Sequence, residues 1–143
     1  MTSPIQTVSP MTLSGQVDQV LLIDPGGQPN TVISTGTAFQ VQVDWSLSGS
    51  SLPFLGGEFT VRALVESIGP GFEGQVGPTK VVAVAAGPNY STVIDVPANT
   101  LPQPAAGDDT VYKLVALVSH RNLGAKTRIA GFGEGTYFEI QVP

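Results

Sequence analysis

The chain contains no cysteine and only one histidine. The absence of cysteine excludes disulfide bonds and thiolate metal ligands. A single imidazole cannot build a zinc or transition-metal site within one chain, and the acidic residues do not follow the spacing of a calcium-binding loop. We therefore expect no metal site and no cofactor.

Charged side chains are also scarce. They make up 12% of the 143 residues, against roughly 25% in an average soluble domain, and the formal net charge is −5. Binding to nucleic acid requires a basic stripe, which this balance argues against, so no nucleic-acid partner is expected. A surface built mainly from uncharged polar residues has weak charge repulsion and permits close packing against another copy or a different partner.

Long apolar runs are missing as well. The longest aliphatic run, VVAVAA at 81–86, is far shorter than a membrane span, so no membrane insertion is expected. The first ten residues, MTSPIQTVSP, lack the basic and apolar regions of a signal peptide. The expectation is a soluble protein made in the cytoplasm, unless a leader was removed, that can later enter a released particle or a surface structure.

The residues that are abundant favour β structure. Val occurs 18 times, and Val, Ile and Thr together account for 38 residues. The 17 glycines and 12 prolines supply turns and interrupt helices, and no helical period is sustained. The composition predicts an all-β protein of one domain.

The pattern of apolar residues divides this domain into short strands. Residues 1–11 are expected to form an extended arm ahead of a single domain at 12–143. Strands are predicted at 12–23, 37–47, 58–68, 80–85, 90–96, 110–121 and 136–142, with a Gly/Pro loop at 69–78 and an irregular stretch at 121–136. Seven or eight such strands indicate two antiparallel sheets packed as a sandwich.

A family resemblance supports this architecture. Trp45 in an early strand, the long crossover at 97–109 before VYKLVALVS, and the closing FEIQV resemble an immunoglobulin-like or fibronectin type III-like module. The resemblance implies a two-sheet β-sandwich used for binding, adhesion or structural stacking. It also implies that Tyr112 is a corner tyrosine whose hydroxyl bonds back to the crossover.

The strand at 110–121 is apolar on both faces. If Tyr112 and its alternate residues face the core, then Val115 and Leu117 face outward, and Leu64 on the probable neighbouring strand extends the same patch. Such a patch is typical of a contact site. We expect self-association through these residues and through Ile5 and Val8 of the arm, unless the 69–78 loop covers the patch.

The stretch SHRNLGAKTR, 119–128, concentrates positive charge. Its residues favour a solvated hairpin over a working site. The alternative is a site for a glycan or an acidic protein surface, formed by four residues of this stretch with two tyrosines expected at exposed positions. The candidate residues are His120, Arg121, Lys126, Arg128, Tyr90 and Tyr137.

No catalytic site is expected. Ser119 and His120 are adjacent on a strand and therefore point to opposite faces, so they cannot act as a nucleophile and base pair. The glycines of GFGEG, 131–135, precede a strand and not a helix, which favours positive φ in a turn or a bulge over a phosphate loop.

The sequence thus favours a non-catalytic structural or interaction module that self-associates, as a subunit of a filament, appendage, shell or virion. The alternative is a carbohydrate-binding or adhesion module that uses the tyrosines and the basic stretch.

Overall fold

The computed structural model describes residues 2–7, 12–69, 71–104 and 110–141. These residues form nine β-strands and one short 3₁₀ turn, Leu52–Phe54, with no α-helix among them. The strands are β1 Ser3–Gln6, β2 Ser14–Ile23, β3 Val32–Ser34, β4 Phe39–Ser48, β5 Glu58–Ile68, β6 Gly74–Ala83, β7 Asn89–Val96, β8 Thr110–Asn122 and β9 Ala125–Gln141. The all-β prediction is confirmed.

The strands join into one continuous sheet in the order β6-β5-β8-β9-β1-β2-β4-β7, and β3 pairs with the end of β9. All pairings are antiparallel except that of β3 with β9, which is parallel. The two end strands, β6 and β7, approach closely, since a Cβ atom added at Gly77 would lie 2.8 Å from the backbone oxygen of Asp95. The sheet is therefore nearly closed, and the expected division into two separate sheets is not clearly present.

The arm contributes to this closure. Ser3, Pro4 and Ile5 pair with β2, and Ile5 and Gln6 pair with β9, so β1 links the two. Ile5 is 6% exposed and belongs to the core of its own chain.

The core follows from the alternation of apolar residues. In β4 every apolar residue from Phe39 to Leu47 is buried, and Trp45 lies at its centre, as predicted. The Trp45 ring stacks on Tyr90 with centroids 5.5 Å apart, and Phe59 meets Tyr90 edge-on at 4.9 Å. These rings hold β4, β5 and β7 together through apolar burial.

Two predictions about strand extent were wrong. The Gly/Pro loop at 69–78 gives way to β6 from Gly74 onward, and the stretch at 121–136 is mostly the first half of β9. The hydrogen bond expected of a corner tyrosine is not observed either. The buried hydroxyl oxygen of Tyr112 has no hydrogen-bond partner among the described residues.

Candidate interaction site

The outward faces of the two halves of the sheet differ in polarity. On β2, β4 and β7 the outward side chains form a hydrogen-bonded polar layer. The Gln19 amide donates to the Asp44 carboxylate at 2.6 Å, and the Gln40 amide donates to Asp95 at 2.7 Å. The polar groups of this face are hydrogen-bonded or open to water, so the face is stable without a binding partner.

The outward face of β5, β8 and β9 is apolar. Leu64 on β5 lies opposite Val115 on β8, and Leu117 on β8 lies opposite Phe132 on β9. We call these four residues the apolar face. Phe132 is 56% exposed, and the predicted burial alternation along β8 is confirmed. Leu64, Val115 and Leu117, singled out from the sequence, are thus adjacent in the structure.

Two depressions border the apolar face and share Leu117 and Phe132. One, which we call the groove, has a volume of about 460 Å³. It is lined by Leu64, Val65, Glu66, Glu73, Gly74, Val115, Leu117, Phe132 and Glu134. The other, of about 430 Å³, lies toward β1 beside Ser3, Pro4 and Gln6. The segment 69–78, considered as an alternative cover for the patch, forms one wall of the groove through Glu73 and Gly74.

The rim of the groove carries charge of both signs. Lys113 pairs with Glu134 at 2.7 Å, and this hydrogen bond raises the pKa of Lys113 above its usual range. Neither Glu66 nor Glu73 forms an ion pair among the described residues, but Glu66 lies opposite Lys113 in register and helps to raise the pKa of Lys113. Arg62, opposite Leu117 in register, places one positive charge on the other side of the apolar face. At the end of the groove near Glu66 and Glu73, three carboxylates, including Glu134, surround the one cation Lys113, so the net charge there is negative.

The stretch at 119–128 forms the β8–β9 hairpin. Asn122 pairs with Ala125, and the two-residue turn between them has positive φ at both Leu123 (52°) and Gly124 (78°). This matches the predicted hairpin and the type I′ geometry that fits twisted strands. The Leu123 side chain is fully exposed.

His120 does not belong to the solvated part of this hairpin, and that expectation was wrong. It is 2% exposed, its Nε2 donates to the Gly56 carbonyl oxygen at 2.6 Å, and its Nδ1 lies 2.9 Å from Thr127 Oγ1. The neighbouring Arg121 pairs with Glu58 at 2.7 Å. Both side chains are occupied in tying the hairpin to the start of β5.

Lys126 and Arg128 remain as the accessible basic residues of the stretch. Both are exposed, and neither forms an ion pair in the described part of the chain. They follow the turn on β9, so the hairpin end presents one fully exposed leucine with two cations behind it. We call Leu123, Gly124, Lys126 and Arg128 the hairpin tip.

The two tyrosines do not form a shared platform for a sugar. Tyr90, expected at the surface, is 7% exposed, and its hydroxyl donates to the Ala85 carbonyl oxygen at 3.1 Å. Its predicted exposure was wrong because the ring completes the Trp45 stack. Tyr137 is 56% exposed and lies opposite Lys113 in register.

The arm residues have different outcomes. Ile5 is used inside its own chain, so we do not carry it into the interface proposed below. Val8 lies outside the described residues.

Phe132 and Leu123 are the functional candidates that sequence reasoning missed. Phe132 stands between the glycines of GFGEG, in a stretch expected to be irregular, so no face could be assigned to it. The alternation of Phe132 with Gly131 and Gly133 was the available signal. Leu123 lies in the stretch expected to be a solvated hairpin, but a position in a hairpin does not by itself predict complete exposure of the side chain.

Two further kinds of feature, a metal site and a membrane-spanning helix, are absent from the described ranges. There, no group of three or more His, Asp or Glu side chains is placed to hold a metal ion. Nor does this part of the chain contain a helix long and apolar enough to cross a membrane.

Comparison with known proteins adds no assignment. No protein-family model matches the chain, and no curated protein matches it significantly.

Proposed function

We propose that this protein is a non-catalytic structural module that self-associates through the apolar face, as a subunit of a filament, appendage, shell or virion. The observation that carries the proposal is the contiguous row of Leu64, Val115, Leu117 and Phe132 on an outward face. A row of this kind with a polar rim is characteristic of contact surfaces, whereas isolated exposed apolar residues are ordinary.

The free energy of association would come from burial of this face. Full burial of a fully exposed large apolar side chain contributes about 1.5–3 kcal/mol. Phe132, 56% exposed, has the most area to bury, whereas the other three residues of the apolar face are already partly buried and contribute less. The opposing cost of removing charges from water falls mainly on Glu66 and Glu73, since Glu134 is already paired with Lys113. A stable interface would extend past the four residues, since stable complexes usually bury about 800 Å² on each partner.

We also propose that the fold is an immunoglobulin-like sandwich with an added strand. Apart from the links made by β1, the pairings fall into two groups, β2-β4-β7 and β6-β5-β8-β9. The parallel pairing of β3 with β9, the last strand, supports the same interpretation. In this view β1 joins two sheets at one edge, and the module suits stacking.

The test uses two aspartate substitutions at outward strand positions. Leu117→Asp places a charge at the centre of the apolar face. Val93→Asp places the same charge on the polar face, where Val93 is 38% exposed opposite Gln42. We expect Leu117→Asp to weaken association at least tenfold, because a charge would have to be buried, and Val93→Asp to leave it unchanged.

The measurement is molar mass by light scattering across a hundredfold range of concentration, with negative-stain images of the same samples. Circular dichroism verifies that both variants are folded. A wild-type chain that stays monomeric at every concentration would refute the proposed function. Equal effects of the two substitutions would show that the apolar face is not the contact.

A further inference from the structure

The β8–β9 hairpin carries two surfaces of complementary character. Its end is the hairpin tip, with one fully exposed leucine and two cations that form no ion pair among the described residues. Its middle contributes Val115, Leu117 and Phe132 to the groove, whose lining includes Glu66 and Glu73.

Both surfaces have an apolar part. Leu123 lies in the tight two-residue turn at the end of the hairpin, and its side chain is fully exposed. The groove is a depression of about 460 Å³ whose apolar lining includes Leu64, Val115 and Phe132. An aliphatic side chain that enters a pocket of the partner can serve as an interface anchor.

The charges of the two surfaces are complementary. Lys126 and Arg128 are the cations at the tip. At one end of the groove Glu66, Glu73 and Glu134 outnumber the single cation Lys113, so that end attracts positive charge. Arg62 lies on the side of the apolar face toward Leu117, so it would repel a cation placed there. Only the orientation that directs the basic side of the tip toward Glu66 and Glu73 avoids this repulsion.

We infer that the hairpin tip of one copy docks into the groove of the next, with Leu123 as the anchor. This inference rests on the proposed self-association and specifies its geometry. The tip cannot reach the groove of its own chain, because Leu123 lies eight residues beyond Val115, or about 26 Å along an extended strand. The contact is therefore heterologous, joining two different surfaces, and repetition of it makes a ring or a filament.

The experiment uses two variants, one with a substitution that impairs only the tip and one with a substitution that impairs only the groove. Leu123→Asn removes the anchor and places Asn-Gly in the type I′ turn, the preferred pair for this geometry, so the fold is retained. Leu117→Asp disables the groove and leaves the tip intact. Val81→Thr, at a 53% exposed position on β6, is the matched control for loss of an exposed apolar side chain.

We expect each variant alone to associate roughly tenfold to a hundredfold more weakly than the wild-type chain, because the anchor contact is lost. The equimolar mixture should form a dimer and nothing larger. In that dimer the tip of the Leu117→Asp chain occupies the intact groove of the Leu123→Asn chain. Both free surfaces of the dimer are then defective, so growth stops. Sedimentation velocity of the single variants, the mixture and the control distinguishes these species.

The possible failures are separable. If Leu123→Asn associates as strongly as the wild-type and Val81→Thr chains, the docking inference is overturned while self-association stands. If both variants are monomeric and the mixture forms no dimer, the contact joins like surfaces and the inference is again overturned. A wild-type chain that is monomeric but sediments with vesicles containing anionic lipid would assign the tip to a membrane surface and refute both proposals.

Discussion

At the residue scale, the glycines of GFGEG permit a close approach between strands, a role that the sequence does not reveal. None of Gly131, Gly133 and Gly135 has positive φ, contrary to the expectation, although the pairing of β8 with β9 does contain an extra residue near Gly135. They are needed because other strands pass close above them. A Cβ atom at Gly133 would collide with Val17 Cγ1, and one at Gly131 would lie 2.9 Å from Pro4 O.

Gly133→Ala tests this interpretation. The added methyl group meets a branched side chain of β2, which can move only by disturbing the core, so we expect a loss of about 1–3 kcal/mol in the free energy of unfolding. Gly56→Ala is the matched control, since nothing lies within 4 Å of its added Cβ and its φ is not positive. The control should be neutral or stabilising by about 0.4–1 kcal/mol. Urea unfolding measures both, and equal stabilities would contradict the close-approach argument.

His120 supports a second prediction at this scale. His120→Phe keeps an aromatic ring beside Phe59, whose centroid is 5.4 Å away, but it removes the hydrogen bonds to Gly56 O and Thr127 Oγ1. Thr127 Oγ1 still donates to the backbone oxygen of residue 120 and accepts from the Ile129 N–H. We expect a loss of about 1–3 kcal/mol in unfolding free energy, because two partly buried hydrogen bonds are lost. A double-mutant cycle with Thr127→Val, followed by urea unfolding, isolates the shared contact. Unchanged stability of His120→Phe would mean that the two hydrogen bonds contribute nothing.

At the element scale, prediction succeeded where apolar residues alternate without glycine. The bounds expected for β5, 58–68, are those observed, and β4 and β8 differ by two residues or fewer. It failed for β6 and the first half of β9, where glycines look like loop residues. The sequence cannot distinguish a glycine that permits a turn from one that permits a close approach, because that depends on which strand passes above it.

The arm strand β1 carries the prediction at this scale. Ile5 fills a position between β2 and β9 and is 6% exposed, so Ile5→Ala should reduce the free energy of unfolding by about 2 kcal/mol or more. Pro4→Ala, at the exposed neighbouring position, is the matched control and should change it by less than about 1 kcal/mol. Thermal and urea unfolding provide the comparison. An unaffected Ile5→Ala variant would show that β1 does not stabilise the closed sheet.

At the scale of the whole molecule, the sequence located three of the four residues of the apolar face. The alternation of side chains along β8 was enough to place Val115 and Leu117 on the outward face, because a strand repeats every two residues. It could not place Phe132 beside Leu117, because the register of β8 with β9 includes two irregularities. Nor could it show that His120 turns inward while Lys126 and Arg128 stay exposed, since that difference depends on Gly56, 64 residues away in the chain.

The charges around the contact predict a dependence of association on salt. If Lys126 and Arg128 approach Glu66 and Glu73, raising NaCl from 50 to 500 mM should weaken association several-fold, because screening shortens the range of these attractions. A contact held by apolar burial alone would be unchanged or strengthened by salt. Sedimentation velocity at the two salt concentrations measures the difference. The variant Glu66→Gln with Glu73→Gln is the control, since it keeps the shape of the groove and should lose most of the salt dependence. Equal salt dependence in the variant and the wild-type chain would place the responsible charges elsewhere on the molecule.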